Sequence, residues 1–520
     1  MSNSASEEHD HGDGVEELGE LRDLPYQNPS APPHESFDVS TTVDPSYVIS
    51  LIRKLLPSDV NGLIREEPAA DGVTEDATNL PENGGEAEAM GSSENHDKLE
   101  GREPSNGYKD EGGTVGEQTW EECGCILWDL AASEDHAQFM VQNLILEVLL
   151  ASLAISPSSR IVEISLGIIG NLACHETARK CMTSVNGLVG AIVEQLLVDD
   201  VPCLCEACRV LSLCLQGGEG FIWAEALQPE HILSRILWIA ENALNPQLIE
   251  RSVGLLLAVL ESQQEVATIL VPPLLKLGLS SLLIKLLAFE MTKLKEDRTP
   301  ERYSVLNLIL RTIEELSAMD NCSEEICENK ELLQLARELI DLPDKFEVAS
   351  SCVTAAVLIA NILTDATHFV SDLSEDLNFL KGLFDVFPFA SEDTEAQTAI
   401  WSVISRILTV LQEREMTPAI LNFLVSILAS KLDLIEDELL AHPSDHAEQS
   451  TSATSGAKID VRLISMKRTS DILTYWKSSD DSIKNTSFAE GCHVNEEDVD
   501  KLLDHCRKAS RFTIVSDLDC

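Results

Sequence analysis

From Trp120 onward, the chain alternates between apolar stretches and short polar breaks. Within each stretch the apolar residues recur three and four positions apart, which predicts amphipathic helices that pack on one another. Six stretches end alike and are each followed by a polar break: Gly167–His175, Cys208–Gln216, Gly254–Ser262, Ile309–Ser317, Val357–Asp365 and Ser405–Glu413. Equivalent points recur roughly every 40 to 55 residues, which is typical of helical repeats.

Each repeat is predicted to contain a short helix, a middle helix and a longer last helix. The pattern is clearest in His175–Ser184, Asn186–Leu197 and Asp199–Gln216. A unit of this size cannot bury its own apolar faces, so neighbouring units must stack. The sequence therefore predicts an all-α fold, an armadillo-like right-handed α-solenoid, over residues 117–480, with a loop at 442–457. Glu290–Arg302 reads as an insertion that lengthens one repeat.

The segments 1–35 and 61–116 are rich in Glu, Asp, Gly, Pro and Ser. Such compositions bury too little apolar surface to offset the entropy of ordering, so we expect a disordered acidic arm and a disordered acidic linker. Between them, residues 36–60 contain one amphipathic helix, which Asp44 can cap and Pro45 can begin. Its apolar positions have helical spacing: Val48, Ile49, Ile52, Leu55 and Leu56. This helix is either a cap on the solenoid or a helix that binds a partner.

The C-terminal part contains two further predicted helices. One, from about Ile459 to Trp476, is expected to close the end of the stack. The other is a short helix in the tail, residues 481–520, whose position the sequence does not assign.

Charge narrows the possible partners. The chain has 37 Lys and Arg residues against 89 Asp and Glu residues, a formal net charge of −52. Nucleic acids and anionic membranes are bound through Lys and Arg, so the sequence predicts neither as a direct partner. Instead it favours protein partners that carry a basic segment. The oligomeric state is left open.

Two further features bear on location. The apolar stretch Ala267–Phe289 is interrupted by Pro272 and Lys276, which indicates buried helices rather than a membrane span. The N-terminal ten residues are polar and acidic, unlike a signal peptide. The 14 cysteines are therefore expected to be reduced thiols. We expect an intracellular protein of the nucleus, the cytoplasm or both, and not a secreted one.

Candidate chemistry is sparse. Cys203, Cys205 and Cys208 resemble zinc ligands in spacing, but they lie in a predicted helix on which they point in different directions. Burial as small apolar residues is the favoured interpretation, and Cys123 and Cys125 are interpreted in the same way. No phosphate-binding loop, dinucleotide motif, metalloprotease motif or nucleophile elbow occurs in the chain. The sequence thus predicts a non-enzymatic protein with no cofactor, metal ion or small-molecule substrate.

The remaining candidate site is the surface formed by the long helices. An Asn side chain there can both donate to and accept from the backbone of an extended peptide. Asn171 and Asn361 occupy matching places in their repeats, and Ser212 and Arg406 occupy this place in two others. Trp401, in the same repeat as Arg406, completes the candidate protein-binding groove. The alternative is that Asn171 and Asn361 satisfy neighbouring helix ends.

The stretch from Trp128 to Leu153, followed by Arg160–Glu176, resembles the serum-amyloid-A-like protein family, also called the synoviocyte proliferation-associated family. The segment Pro45–Asp59 resembles the N-terminal element of that family. The resemblance covers about Trp120 to Leu215 and this segment. It implies an intracellular, largely nuclear armadillo-like protein linked to cell proliferation, without catalytic residues to carry over.

At the level of repeats the chain is also similar to importin-alpha and beta-catenin. Importin-alpha pairs each groove Asn with a Trp one turn earlier, whereas Gly167 and Val357 stand at those positions here. The sequence therefore indicates an interaction scaffold that does not read import signals in the same way. Three alternatives stay open: a nucleotide-exchange cofactor of seventy-kilodalton heat-shock chaperones, an enzyme with an unrecognised site, and a structural protein that only stabilises one obligate assembly.

Overall fold

A computed structural model describes residues 43–56, 115–156, 158–319, 323–414, 416–441, 461–480 and 494–516. Within these ranges every regular element is a helix. The predicted arm at 1–35, most of the predicted linker at 61–116 and the predicted loop at 442–457 lie outside the described residues. The described helices from Ser46 onward belong to one compact unit.

Two helices precede the repeats, α1 (Pro45–Lys54) and α2 (Val115–Leu130). Six repeats follow, each with a short, a middle and a long helix. In order they are α3 (Glu134–Gln142), α4 (Ile145–Ile155), α5 (Ser159–Ala173); α6 (Glu176–Ser184), α7 (Leu188–Glu194), α8 (Val201–Leu215); α9 (Gly220–Leu227), α10 (Glu230–Asn242), α11 (Pro246–Leu260); α12 (Gln264–Lys276), α13 (Leu279–Glu296), α14 (Glu301–Ala318); α15 (Ser323–Cys327), α16 (Lys330–Ile340), α17 (Ala349–Asp365); α18 (Phe369–Ser374), α19 (Leu377–Val386), α20 (Thr394–Glu413).

Four helices complete the described chain: α21 (Pro418–Ser430), α22 (Leu432–Ala441), α23 (Val461–Ser478) and α24 (Glu496–Ser516). Short 3-10 turns at Gln195–Leu197, Phe346–Val348 and Phe387–Ala390 follow or precede the regular helices in three of the repeats.

Equivalent helices stack from one repeat to the next. The long helices pack in an unbroken ladder, α2–α5–α8–α11–α14–α17–α20–α23, and the middle helices form a second ladder beside it. In α5, Ile164, Leu166, Ile168, Ile169 and Leu172 are fully buried, because neighbouring long helices cover it on two sides and its own repeat covers a third. This arrangement is an armadillo-type solenoid and confirms the fold class predicted from the sequence.

Local sequence explains where the helices turn and begin. Between the short and middle helices of two repeats, Gly187 and Gly278 adopt φ values of 88° and 97°, a left-handed conformation that glycine adopts without steric cost. Gly278 lies at the break between α12 and α13, which are bent by 73°. Long helices begin at side-chain caps: Asp200 accepts from Cys203 N, and Asp393 accepts from Glu395 N.

The predicted insertion at Glu290–Arg302 lengthens helices more than it adds a loop. Helix α13 continues to Glu296, and α14 begins at Glu301. The Glu290 carboxylate, which is only 1% exposed, pairs with the Arg302 guanidinium through contacts of 2.6 and 2.9 Å. This buried ion pair joins the middle and long helices of the fourth repeat.

Both ends of the described array are covered. At the N-terminal end the apolar side of α1 is buried, and the Trp120 indole N–H donates to the carbonyl of Leu55 at 3.0 Å. At the C-terminal end α24 packs on α21, α22 and α23 and buries Val499 and Leu502. The tail helix is therefore longer than the sequence predicted, at 21 residues, and it extends the array beyond residue 480.

One helical segment of the described chain, Phe346–Asp365, is long and apolar enough to cross a membrane by length and composition alone. It contains α17, which packs between α14 and α20, and 61% of its apolar window is buried within the protein. The stretch Ala267–Phe289 spans the bent pair α12 and α13 rather than one straight helix.

Candidate functional site

The exposed side of the long-helix ladder is here called the long-helix face. Asn171 lies on it at the end of α5. Its amide nitrogen donates to the Trp128 carbonyl at 2.9 Å, and its amide oxygen accepts from Arg209 at 3.1 Å. Both ends of this amide therefore bind neighbouring repeats in this structure, which is the role that the alternative interpretation gave to it.

The Trp128 side chain explains why a glycine stands one turn before Asn171. A Cβ atom at Gly167 would lie 2.3 Å from the Trp128 indole, so the ring occupies the space that a side chain would need. The tryptophan beside this Asn thus comes from the preceding long helix, not from α5 itself. Sequence comparison within one repeat could not find it.

Arg209, in α8, links this long helix to α5. Its guanidinium donates to the Gly167 carbonyl at 3.0 Å and pairs with Glu206 at 2.6 Å. It also lies over Gly170, where an added Cβ would come within 2.3 Å of it. The guanidinium is therefore held in place by α5 and by its own helix, α8.

The other three polar candidates also contact protein. The Asn361 amide donates to the Ser317 hydroxyl at 3.0 Å, linking α17 to α14. Ser212 donates to the carbonyl of Cys208, one turn back in its own helix, at 2.8 Å. Arg406 donates to the Leu363 carbonyl and to the Thr364 hydroxyl, linking α20 to α17. Asn171, Asn361 and Arg406 thus make equivalent contacts between repeats.

Trp401 lies in the core and not on the long-helix face. It is 3% exposed and makes edge contacts with Phe384 and Phe387, at ring-centroid distances of 6.2 and 5.3 Å. Its indole nitrogen is buried without a hydrogen-bond partner among the described residues. In this arrangement the ring stabilises the sixth repeat and cannot contact a ligand on the surface.

An acidic cluster that was not predicted from the sequence lies at the C-terminal end of α14. Burial and the adjacent Glu315 carboxylate raise the pKa of Glu314 to about 7. The pKa of Glu315 is raised by burial and by the Glu261 carboxylate of the preceding repeat. Arg311 lies between them and donates to Glu261 at 2.6 Å. We call Glu261, Arg311, Glu314 and Glu315 the acidic cluster.

The acidic cluster has more negative than positive charge and is partly shielded from water. The cluster has three carboxylates and one guanidinium, that of Arg311, which pairs with Glu261 and offsets the rise in the pKa of Glu314 and Glu315 only in part. Asp393 adds a further negative charge within range of Glu314. A raised carboxyl pKa means that the charged form lacks full compensation, so an added cation there would be stabilised. The adjacent glutamates Glu314 and Glu315, near the end of a long helix, were the available sequence signal.

The cysteines that resembled zinc ligands are buried separately on α8. Cys203, Cys205 and Cys208 are 0%, 5% and 1% exposed. Burial raises the pKa of the Cys205 thiol to about 11 and that of Cys208 to about 12, which disfavours the thiolate that zinc requires. Among the described residues, no group of three or more His, Cys, Asp or Glu side chains is placed to hold a metal ion.

The neighbours Cys174 and His175 do not form a nucleophile–base pair. The Cys174 thiol contacts the Gly170 carbonyl at 3.5 Å, and the His175 ring nitrogen contacts the Ala131 carbonyl at 3.1 Å. Cys174 thus contacts a carbonyl within α5, and His175 contacts a carbonyl directly after α2, so the two side chains do not contact each other.

Comparison with known proteins gives partial matches. No family model matches the chain. Over 150 residues it is 37% identical to Protein saal1 of Danio rerio, and over 129 residues it is 33% identical to Protein SAAL1 of Mus musculus. These matches cover 28% and 24% of this chain, and 31% and 27% of the two relatives. The chain thus resembles SAAL1, a serum-amyloid-A-like protein, as the sequence indicated, over about a third or less of the relatives' length.

Among solved structures, the chain is similar to an engineered protein, target OR497, with a TM-score of 0.40 and 14% identity, covering 76% of this chain and 96% of that one. It is also similar to a designed armadillo repeat protein, YIII(Dq.V1)4CPAF in complex with peptide (KR)4, with a TM-score of 0.38 and 16% identity over 47% of this chain and 95% of that one.

Proposed function

We propose that this armadillo-type repeat protein is a non-enzymatic interaction scaffold whose long-helix face binds a basic segment of a partner protein. The observation that carries the proposal is the acidic cluster, where Glu261, Glu314 and Glu315 share one counter-charge, Arg311. A Lys or Arg side chain placed there would offset the repulsion between the carboxylates and release the proton held by Glu314.

The five residues predicted for the groove have a narrower role in this proposal. Asn171, Asn361 and Arg406 hold the long helices in register through their contacts between repeats. They therefore position the face, while the acidic cluster supplies the charge that a basic segment recognises. Ser212 stays a candidate contact because it lies on the same face and is partly exposed.

We also propose an intracellular location in the nucleus, the cytoplasm or both. The supporting observation is that eleven cysteines in the described part of the chain are free thiols, most of them buried. Thiols in this state suit a reducing compartment. The link to cell proliferation stays a prediction from the family resemblance.

The test is a titration of the full chain against a fluorescein-labelled peptide in which lysine alternates with glycine, followed by fluorescence anisotropy. Glu314→Gln combined with Glu315→Gln should weaken binding about tenfold, since two carboxylates near one cation are lost. A matched control, Glu134→Gln with Asp135→Asn, removes two exposed charges from the short helix α3 and should change binding less than about twofold.

The pH dependence supplies an independent readout. Because the pKa of Glu314 is raised to about 7, affinity of the parent protein should rise between pH 6 and pH 8 as this carboxyl loses its proton. The Glu314→Gln variant should lose that dependence. Equal weakening by the two double variants would show that only the overall charge matters, and the proposed binding site would be wrong.

A further inference from the structure

Large apolar side chains are exposed along one edge of the solenoid. In each of the six repeats, the segment around the junction from middle helix to long helix presents at least one of them: Ile155, Leu197, Leu244, Phe289, Phe346 and Phe389. Leu244 is 92% exposed and Phe346 is 80% exposed. We call these six residues the corner row. The row contains six of the fifteen exposed large apolar side chains among the described residues, and the exposed Val198 and Val201 lie close to Leu197 in the chain.

Contacts between repeats are made at two places along the corner row. Arg235 of the third repeat donates to the carbonyls of Leu196 and Val198 at the corner of the second repeat. The same guanidinium lies 4.5 Å from the centre of the Trp238 ring, which is half exposed and thus stands beside that corner. In the same way Arg298 donates to the Asp344 carbonyl, joining the corners of the fourth and fifth repeats.

Phe289 belongs to this row although it lies within α13. The guanidinium of Arg302, in the first turn of α14, is 5.3 Å from the centre of its ring. The ring is therefore beside the start of the long helix, as the other five residues are. Exposed large apolar side chains that recur from repeat to repeat point to a site of interaction.

The connecting segments around the corner row have, in total, a net negative charge. The connecting segments 156–158, 198–200, 243–245, 297–300, 341–348 and 387–393 contain eight acidic residues and two basic ones. Lys345 is buried and donates to the Leu342 carbonyl, and Arg298 pairs with Asp344. Acidic residues thus lie in the connecting segments of the second, fourth, fifth and sixth repeats, whereas those of the first and third repeats have no charged residue. The Phe289 ring lies beside Lys293 and Arg302. Taken together, the connecting segments have a net negative charge, which is complementary to an apolar surface flanked by Lys and Arg.

Backbone hydrogen bonding favours a helical occupant over an extended one. An extended segment needs partners for its own N–H and C=O groups. At the corners the first N–H groups of the long helices are already capped, by Asp200, Asn245 and Asp393. A helix satisfies its backbone internally and needs only a side-chain surface.

The spacing of the repeats also suits a helix. Stacked helices are about 8–10 Å apart, and one heptad of an α-helix is about 10.5 Å long. A helix laid along the edge would therefore present the same heptad position to each successive corner. We propose that the corner row is a docking surface for a basic amphipathic helix of a partner protein that lies across several repeats.

The proposal is tested with the full chain and a synthetic lysine-rich peptide of about four heptads, with leucine at two positions of each heptad. A second peptide has the same composition, with leucines spread around the helix. We expect the amphipathic peptide to bind at least about tenfold more tightly, measured by isothermal titration calorimetry. Absence of binding, or equal binding of the two peptides, would overturn the proposal.

Variants then locate the site. Leu244→Ser with Phe346→Ser should weaken binding of the amphipathic peptide about tenfold or more. The control, Phe221→Ser with Tyr475→Ser, removes two exposed aromatic side chains away from the corners and should leave affinity within about twofold. All variants alter exposed residues, and equal thermal unfolding by circular dichroism verifies the fold.

The acidic-cluster variant separates this proposal from the proposed function. Glu314→Gln with Glu315→Gln should leave binding of the amphipathic peptide within about twofold, because the corner row is retained. If this variant weakens binding as much as the corner variant does, the peptide occupies the long-helix face and the corner proposal is wrong. Equal losses in the corner and control variants would likewise overturn it.

Discussion

The contact between Trp128 and Gly167 gives the sharpest test of how the repeats fit together. An alanine at a glycine position inside a helix normally stabilises a protein by about 0.5–1 kcal/mol. At Gly167 the added Cβ would lie 2.3 Å from the indole, so Trp128 would have to leave its place. Losing the packing of a half-buried tryptophan costs about 1–2 kcal/mol more than the helix gains. We therefore expect Gly167→Ala to destabilise the protein by about 1–2 kcal/mol.

Gly254 is the matched control. It is the first residue of the corresponding motif in α11, and a Cβ there would meet only Leu308, at 3.8 Å, which is ordinary van der Waals contact. Gly254→Ala should therefore stabilise the protein by about 0.5–1 kcal/mol, the opposite sign. Urea unfolding followed by circular dichroism measures both variants, and the tryptophan emission reports whether Trp128 has moved into water.

A double-mutant cycle shows whether the indole is the cause. In a Trp128→Ala background the obstruction is gone, and Gly167→Ala should then stabilise the protein as Gly254→Ala does. If Gly167→Ala is already stabilising in the parent protein, the close approach has no energetic consequence and the reasoning is refuted. It is refuted equally if removing Trp128 leaves the sign unchanged.

Three further changes have definite expected outcomes. Arg302→Ala leaves the Glu290 carboxylate buried without its partner and should lower the free energy of unfolding by about 3 kcal/mol in urea titrations. Glu314→Gln should be more stable than the parent protein at pH 8 and no more stable at pH 5, by circular dichroism, with a difference on the order of 1 kcal/mol. Trp120→Phe removes the hydrogen bond to Leu55 and should speed trypsin cleavage after Arg53 about tenfold.

The sign of the pH effect follows from the direction of the shift. The pKa of Glu314 is higher in the folded protein than in the unfolded chain, so the folded state binds more protons between roughly pH 4.5 and 7. Stability from this group is present at low pH and is lost as the pH rises through that window. Unchanged pH dependence in the glutamine variant would show that Glu314 ionises normally.

Two surface substitutions serve as controls for the other changes. Lys285→Ala breaks an exposed pair with Glu241 and should cost less than about 0.5 kcal/mol, in contrast to Arg302→Ala. If Arg302→Ala also lowers the free energy of unfolding by less than about 0.5 kcal/mol, its pair with Glu290 is not energetically important. Tyr47→Phe keeps the exposed ring on α1 and should leave trypsin cleavage unchanged. If cleavage is also unchanged in Trp120→Phe, α1 is not held in place by the hydrogen bond from Trp120 to Leu55.

Much of the fold could be predicted because the start, end and buried side of each helix are determined by residues that are close together in the sequence. The break before α8, for example, combines an acidic cap at Asp200 with Pro202 in the first turn, and the helix begins there. Apolar spacing then identifies the buried side of each long helix. These signals are short-range, so one sequence is enough to read them.

The candidate site could not be predicted to the same degree, because it depends on contacts between repeats. Asn171 and Asn361 looked available for a ligand, but their partners, Trp128 and Ser317, are 43 and 44 residues away. Trp401 was predicted for the groove, yet its helix turns the ring into the core. The raised pKa of Glu315 depends on burial and on Glu261, which follows α11 of the preceding repeat, and that of Glu314 depends mainly on burial, which residue spacing does not reveal.

The covered ends of the described array have a consequence for self-association. A stack of identical apolar interfaces would otherwise present an open face at each end, and two such faces on different molecules could join head to tail into fibres. Here α1, and α24 from Glu496 to Lys508, each bury one apolar side against the array and present a largely polar, exposed side outward. We therefore expect the loss of either helix to expose an apolar end face that favours self-association.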